Sequence, residues 1–331
     1  MEVPDYELPP DAIAQTPAAR RDAARLLDAI DAARPPVHRT VADLPLLLGP
    51  GDVVVVNDSR VLPARLHLVK ATGGSAEVLL LEPRHGRTWN ALVRPGRRLP
   101  PGTLLAAGAG EEPLVEVGER VGDDGRREVR LLAEADEVLA RAGQMALPPY
   151  IHEPLSEPGR YQTVYANRPG SVAAPTAGLH FTDELMTRIS ATGAAIHRVD
   201  LAVGMATFRP VTAQRAEDHQ MHTESYSVSE ETWAACAAAD RVIAIGTTTV
   251  RALESAARTG RREGASDLFI RPGFSFAIVD VLLTNFHMPR STLLLLLEAF
   301  AGPRWRDLYR VALADGYRFL SFGDAMIVGR R

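Results

Sequence analysis

Six short apolar runs separated by Gly/Pro turns, with no segment between them that reads as a long helix, set the architecture of the first half of this chain. They are Leu66 to Val69, Val78 to Leu81, Trp89 to Val93, Leu104 to Ala106, Leu114 to Val117 and Val129 to Leu132. Runs of this length and spacing predict strands joined by hairpins, hence a small antiparallel β domain, a barrel or a sandwich. After Pro148-Pro149-Tyr150 the texture changes to helices alternating with strands. Phe181 to Thr192 reads as a helix capped by Thr182, with Asp183 and Glu184 favourable in its first turn. Arg241 to Ile245 reads as a strand, Gly246-Thr247-Thr248-Thr249 as a polar turn and Val250 to Arg258 as a helix. The β region is therefore expected as an insertion, residues 63–147, within an α/β domain formed by residues 1–62 and 148–331.

Composition bounds the class. A chain of 331 residues with 46% hydrophobic content can bury a large core. The longest aliphatic run, Leu293 to Leu297, is far shorter than the roughly 20 residues of a membrane-spanning helix. The acidic start Met1-Glu2-Val3-Pro4-Asp5 has no hydrophobic signal region, so a cytoplasmic location is expected. Cys236 is the only cysteine, and its alanine-rich surroundings read as a helix burying a small thiol. Lys70 is the only lysine among 37 Lys and Arg residues, and the formal net charge is −4. Any nucleic-acid surface must then be local, with Arg84, Arg87, Arg94, Arg97 and Arg98, or Arg304 and Arg306 around Trp305, as candidates.

Several windows could carry chemistry. The strand-like Asp52 to Val56 exits through Asn57-Asp58-Ser59-Arg60, a polar strand end suited to a site edge. Between the apolar Val281 to Leu283 and Leu293 to Leu297 lies Thr284-Asn285-Phe286-His287-Met288-Pro289-Arg290-Ser291-Thr292. So polar an island is costly to desolvate unless partners or a ligand satisfy it, although Pro289 as a strand breaker and Ser291 or Thr292 as a cap would also account for it. Gly246 to Arg251 sets hydroxyls and free N–H groups at a helix start, suited to a phosphate or carboxylate or simply to capping. Glu217 to Glu224 concentrates ionisable groups. His219 and His222 with a carboxylate could hold a divalent metal, act in acid–base chemistry, or form a surface network. Ser171 to Thr182, rich in small residues, forms a close-approach loop that ends at His180.

Taken together, these blocks resemble one family, the S-adenosylmethionine:tRNA ribosyltransferase-isomerases of queuosine biosynthesis. The resemblance runs from Tyr6-Glu7-Leu8-Pro9 through Asn57 to Leu66, Leu147 to Ile151, Tyr161 to Thr182, Glu217 to Glu224, Gly246 to Glu254, Pro272-Gly273-Phe274 and Thr284 to Gly302 to Tyr317–Ala325. It implies an α/β fold with an inserted β-barrel. It also implies a strand around Leu26 and Leu27, where the local pattern of Thr16-Pro17, Ala23, Leu26, Leu27 and Ile30 reads as a helix.

The implied chemistry uses no metal and no resident cofactor. S-adenosylmethionine is a co-substrate whose ribosyl part passes to 7-aminomethyl-7-deazaguanine in tRNA and rearranges, releasing adenine and methionine. Proton-transfer candidates are His180, His219, His222 and His287, oriented by Asp218 and Glu224. Thr247, Thr248 and Arg251 suit the methionine carboxylate, and Asn285 and Thr176 suit a base or ribose. Arg60, Arg65, Gly178, Ser291 and Thr292 complete the expected binding set, and a monomer is expected. Where the family pattern is Leu-His-Val-Gly-x-Gly-Thr-Phe, this chain has Leu201-Ala202-Val203-Gly204-Met205-Ala206-Thr207-Phe208. That departure admits two other readings: a paralogue that serves a small-molecule acceptor, and a non-catalytic S-adenosylmethionine or RNA binder.

Overall fold

The computed structural model of the protein describes residues 3–122, 125–204, 215–218, 221 and 223–331. The chain divides into two compact units. One comprises Met1–Arg60, Pro148–Arg168 and Ala174–Arg331, and the other Val61–Leu147 with Pro169–Ala173.

The first unit is built on a nine-stranded mixed sheet. Its order is Glu263–Ser266, Glu224–Val228, Ala195–Leu201, Asp52–Asn57, Arg241–Ile245, Val281–Asn285, Ala325–Gly329, Arg25–Ala29 and Val37–Thr40. The four strands from Ala195–Leu201 to Val281–Asn285 run parallel. Asp52–Asn57 is buried along its whole length, as a β-branched strand flanked by neighbours and covered on both faces should be. Alternate residues Val54, Val56, Ile243, Ile245, Val281, Leu283, Ala325 and Ile327 pack on one face against Leu185 and Ile189 of helix Asp183–Ala191 and against Val41 and Leu44. The helix Thr247–Thr259 also packs on the sheet.

Helix starts follow local chemistry. Thr182 accepts the Leu185 N–H at 3.0 Å, Ser229 that of Thr232 at 3.1 Å, and Ser291 that of Leu294 at 3.2 Å. Ser229 opens the helix Glu230–Ala238, in which burial pushes the Cys236 thiol up to about 11, an inert state. The helix after Gly246 begins at Thr247, three residues before the predicted start, so the polar turn is its first turn.

Arg25–Ala29 is a strand, which corrects the local helical reading. Its partners lie far away in sequence: Leu26 to Ala29 pair in parallel with Ala325 to Val328, and Arg25 to Asp28 pair antiparallel with Val37 to Thr40. Long-range ladders override the local period here.

The second unit is a closed antiparallel barrel. Arg65–Lys70, Ser75–Pro83, Thr88–Arg94, Arg126–Leu131, Pro113–Val121 and Leu104–Ala106 follow one another, and Leu104–Ala106 closes onto Arg65–Lys70. Each of the six apolar runs lies in or overlaps one of these strands. Closure removes the exposed edges of a sheet. A short helix, Ala135–Ala142, follows, and Gly143–Gln144 then pairs beside Arg65 and Leu66. The fold is α/β with an inserted antiparallel barrel. No helix of the described residues is long and apolar enough to cross a membrane.

Candidate active site

In open α/β sheets, ligands bind beyond the carboxyl ends of the parallel strands. The cleft in the first unit lies there. Val203 follows the strand Ala195–Leu201, Gly246 to Thr248 follow Arg241–Ile245, and Phe286 to Met288 follow Val281–Asn285, whose last residues Thr284 and Asn285 also line the cleft. The loop Ala174 to Ala177, with Tyr150, Ser291, Leu293, Leu320 and Ser321, completes a space of about 650 Å³ that is open to solvent. No described lining residue carries a formal charge in its ordinary state apart from the titratable His287.

Asn285 organises one wall. Its Nδ2 group donates to Leu320 O at 3.1 Å and lies 3.2 Å from His180 Nε2, while its Oδ1 accepts from Thr176 Oγ1 at 3.1 Å. An amide NH2 facing His180 Nε2 requires that nitrogen to accept, which places the ring proton on Nδ1. Leu320 has φ +68°, and its N–H bonds Phe286 O at 3.1 Å, tying this strained residue to the same loop.

His287 is held on three sides. Its Nε2 lies 3.0 Å from Thr284 Oγ1, its N–H donates to Tyr309 Oη at 2.8 Å, and its carbonyl accepts from Tyr6 Oη at 2.5 Å. Behind it Phe286 stacks on Phe319 at 4.7 Å and meets Tyr309 edge-on at 5.2 Å. Burial pushes the His287 imidazole down to about 3. Burial, with the charges of Arg318 and Arg21, brings His180 to about 4. Both rings are neutral at neutral pH, so neither repels a cationic substrate.

Beside this wall, at the carboxyl end of the neighbouring strand Arg241–Ile245, stands the start of helix Thr247–Thr259. Its N-cap, Gly246, has φ +90° and supplies no side-chain cap, so first-turn N–H groups are left for an anion. Asn57 Nδ2 steadies Thr248 Oγ1 at 3.2 Å and holds Leu201 O at 3.0 Å. Further along, the buried Glu254 accepts the N–H groups of Ala277, Ile278 and Val279 at 2.8–3.0 Å, which fixes the approach to strand Val281–Asn285.

The structure brings together Thr176, Thr247, Thr248, Asn285, His287 and Ser291 on the cleft, with His180 joined through Asn285. Other members of the expected set lie elsewhere. Arg251 is buried in an ion pair with Glu224, so its charge is committed there rather than to a carboxylate in the cleft. Glu224 also accepts the Gly204 N–H at 3.0 Å, and this pair anchors the backbone beside Val203. Gly178 packs behind the wall against Tyr165. Thr292 is the first residue of its helix, Arg60 is exposed, and Arg65 lies on a barrel strand 3.9 Å from Glu77. Asp218 ends the short turn Ala216–Asp218; His219, His222 and Ala206 lie outside the described residues. Ala202 donates its N–H to Ser225 O at 3.1 Å. No group of His, Cys, Asp and Glu residues suited to a metal occurs among the described residues.

Sequence reasoning gave Asn57 no individual role, and it passed over Tyr150 and Ser321, whose hydroxyl oxygens meet at 2.7 Å. Asn57 stood in the polar strand exit already noted as a site edge. Nothing local marks the other two.

An uncharged cleft at the carboxyl edge of a parallel sheet, lined by an uncapped helix start and a neutral imidazole, is the architecture of an α/β enzyme for a small polar substrate. The particular family is given by comparison with known proteins. A family model described as queuosine biosynthesis protein matches residues 2–328, and the chain belongs to that family. A protein of Rubrobacter xylanophilus named S-adenosylmethionine:tRNA ribosyltransferase-isomerase is 52% identical over 98% of this chain and 96% of its own length. One of the same name from Thermus thermophilus is 47% identical over 99% of each. The crystal structure of S-adenosylmethionine tRNA ribosyltransferase from Thermotoga maritima is similar with a TM-score of 0.56 and 35% identity, covering 98% of this chain and 99% of that one.

Proposed function

We propose that the protein transfers and isomerises the ribosyl moiety of S-adenosylmethionine onto 7-aminomethyl-7-deazaguanine in tRNA, releasing adenine and methionine. The observation that carries this reading is that one uncharged cleft is lined both by an uncapped helix N-terminus and by the Asn285 and His287 wall. S-adenosylmethionine is a carboxylate at one end, a sulfonium cation in the middle and a flat purine at the other. First-turn amides at Gly246 to Thr248 suit the carboxylate. Neutral imidazoles spare the sulfonium a like charge. The apolar side chains of Met288, Leu293 and Leu320 suit the purine.

The sulfonium acidifies the adjoining C5′–H, and a neutral imidazole can accept that proton. His287 lines the cleft and is the base in this reading, with Thr284 holding its Nε2. His180 is a positioning residue that acts through Asn285. Burial makes both imidazoles weak bases, so turnover leans on orientation and on the exclusion of water as well as on proton affinity. S-adenosylmethionine is consumed as a co-substrate, and the reaction needs no resident cofactor.

Incubating the protein with S-adenosylmethionine, with and without tRNA bearing the aminomethyl base, tests this reading. Adenine release that requires the modified tRNA is expected. Release with a small-molecule acceptor alone would replace the acceptor, and binding with no release would remove the enzymatic reading altogether. Replacing His287 with Gln should lower kcat by about 10²-fold or more if it is the base.

A further inference from the structure

Residues 83–110 contain five arginines, Arg84, Arg87, Arg94, Arg97 and Arg98, and no Asp or Glu. The barrel sorts these five into two groups. Arg87 is ion-paired with Glu134, and Arg84 Nε donates to Asn90 Oδ1 at 3.3 Å. Arg94, Arg97 and Arg98 are exposed, and among the described residues none has a carboxylate partner or a side-chain hydrogen bond. Glu77, across the ladder from Arg94, lies within 3.9 Å of Arg65.

The three charges sit on one short turn where strand Thr88–Arg94 leaves the barrel through Gly96–Arg98. That turn is anchored from below. Leu99 is fully buried, and its carbonyl accepts from the guanidinium of the buried Arg127. The chain has thus kept three like charges together, unneutralised, on a turn with a fixed base, elsewhere than among the lining residues of the cleft. A bound polyanion would neutralise them, and a guanidinium presents paired N–H groups that match phosphate oxygens. A protein with a net charge of −4 has no general attraction for nucleic acid, so a local patch of this kind must supply it.

We infer that the Arg94-Arg97-Arg98 turn of the barrel is a docking surface for the phosphate backbone of the RNA acceptor. The inference rests on the tRNA reading above and adds to it the element that grips the chain of phosphates.

The test is equilibrium binding of the modified tRNA to the intact protein across a salt series. Each phosphate contact contributes about −0.7 to −0.9 to the slope of log affinity against log salt. The triple variant Arg94→Ala, Arg97→Ala, Arg98→Ala should bind at least tenfold more weakly at low salt and lose about 2 from the magnitude of that slope. Its affinity for S-adenosylmethionine, read by calorimetry, should be unchanged, which also shows that it is folded. A control variant removes three ion-paired arginines of the same unit, Arg87→Ala, Arg130→Ala and Arg141→Ala. An unchanged slope in the first variant, or an equal loss in the control, overturns the docking surface and leaves the acceptor reading standing. Failure of the unaltered protein to bind any tRNA, while it still releases adenine with another acceptor, overturns the acceptor reading and the docking surface with it.

Discussion

A methyl group added at Gly178 would fall 2.1 Å from Tyr165 Oη and 2.9 Å from Thr163 Cγ2. Only glycine fits behind the wall that carries Thr176 and His180. Gly178→Ala should therefore destabilise the protein by about 1–3 kcal/mol in urea denaturation. Tyr165→Phe, which deletes the clashing oxygen, should recover part of that loss. Strictly additive effects of the two changes would show that the strain arises elsewhere. The two buried imidazoles make a separate prediction about acid. Both native values, about 4 for His180 and about 3 for His287, lie below the ordinary 6.5. Above pH 6.5 the rings are neutral in the folded and the unfolded chain, and neither affects stability. As the pH falls below 6.5 the unfolded chain binds protons that the native chain refuses. Stability is then lost, by at most about 1.4 kcal/mol per pH unit for each ring, down to the native values. Unfolding free energies measured between pH 7 and 4 should show this slope, and a His180→Gln, His287→Gln double variant should flatten it. The wall holding these rings could not be read locally, because the His180 and Asn285 contact joins residues 105 apart.

Ser291 and Thr182 are chemically alike as caps and differ in their surroundings. Each accepts the N–H of the residue three further on, and removal of either side chain should cost about 1 kcal/mol. Ser291 also lines the cleft, whereas Thr182 does not. Thermal melts of Ser291→Ala and Thr182→Ala should thus shift alike, with only Ser291→Ala changing the KM for S-adenosylmethionine. Equal kinetic effects would mean that cap loss acts through global softening. Elements of this kind were legible in the sequence because their signals are local. A threonine before two acids marks a helix start, and apolar runs between glycines and prolines mark hairpin strands. Arg25–Ala29 was not legible in this way, because its spacing suits a helix and only its ladders with Ala325–Gly329 and Val37–Thr40 make it a strand. The start of the helix at Thr247 was hidden for a related reason. Three threonines look like a turn until Asn57, from another strand, bonds the second of them.

At the scale of the whole molecule, the two units differ in how far their contacts reach. Neighbouring barrel strands are mostly joined by hairpins, and every barrel strand lies within residues 65–144. The large sheet pairs Leu26 with Ala325 and Asp52 with Arg241. Contacts close in sequence form faster than distant ones, since less chain entropy is lost before they help one another. In refolding followed by pulsed hydrogen exchange, amides of Val78, Val93, Val117 and Val129 should gain protection before those of Leu27, Val55 and Ile243. Simultaneous protection of both sets would mean that the chain folds as one cooperative block. The same topology bears on synthesis, because Ala325–Gly329 sits inside the sheet, between Val281–Asn285 and Arg25–Ala29. While the chain emerges from the ribosome, the strand Arg25–Ala29 can find only its hairpin mate Val37–Thr40. Its other edge stays open until some 300 further residues have been translated, and for that interval the nascent chain exposes a sticky edge to chaperones and to neighbouring chains.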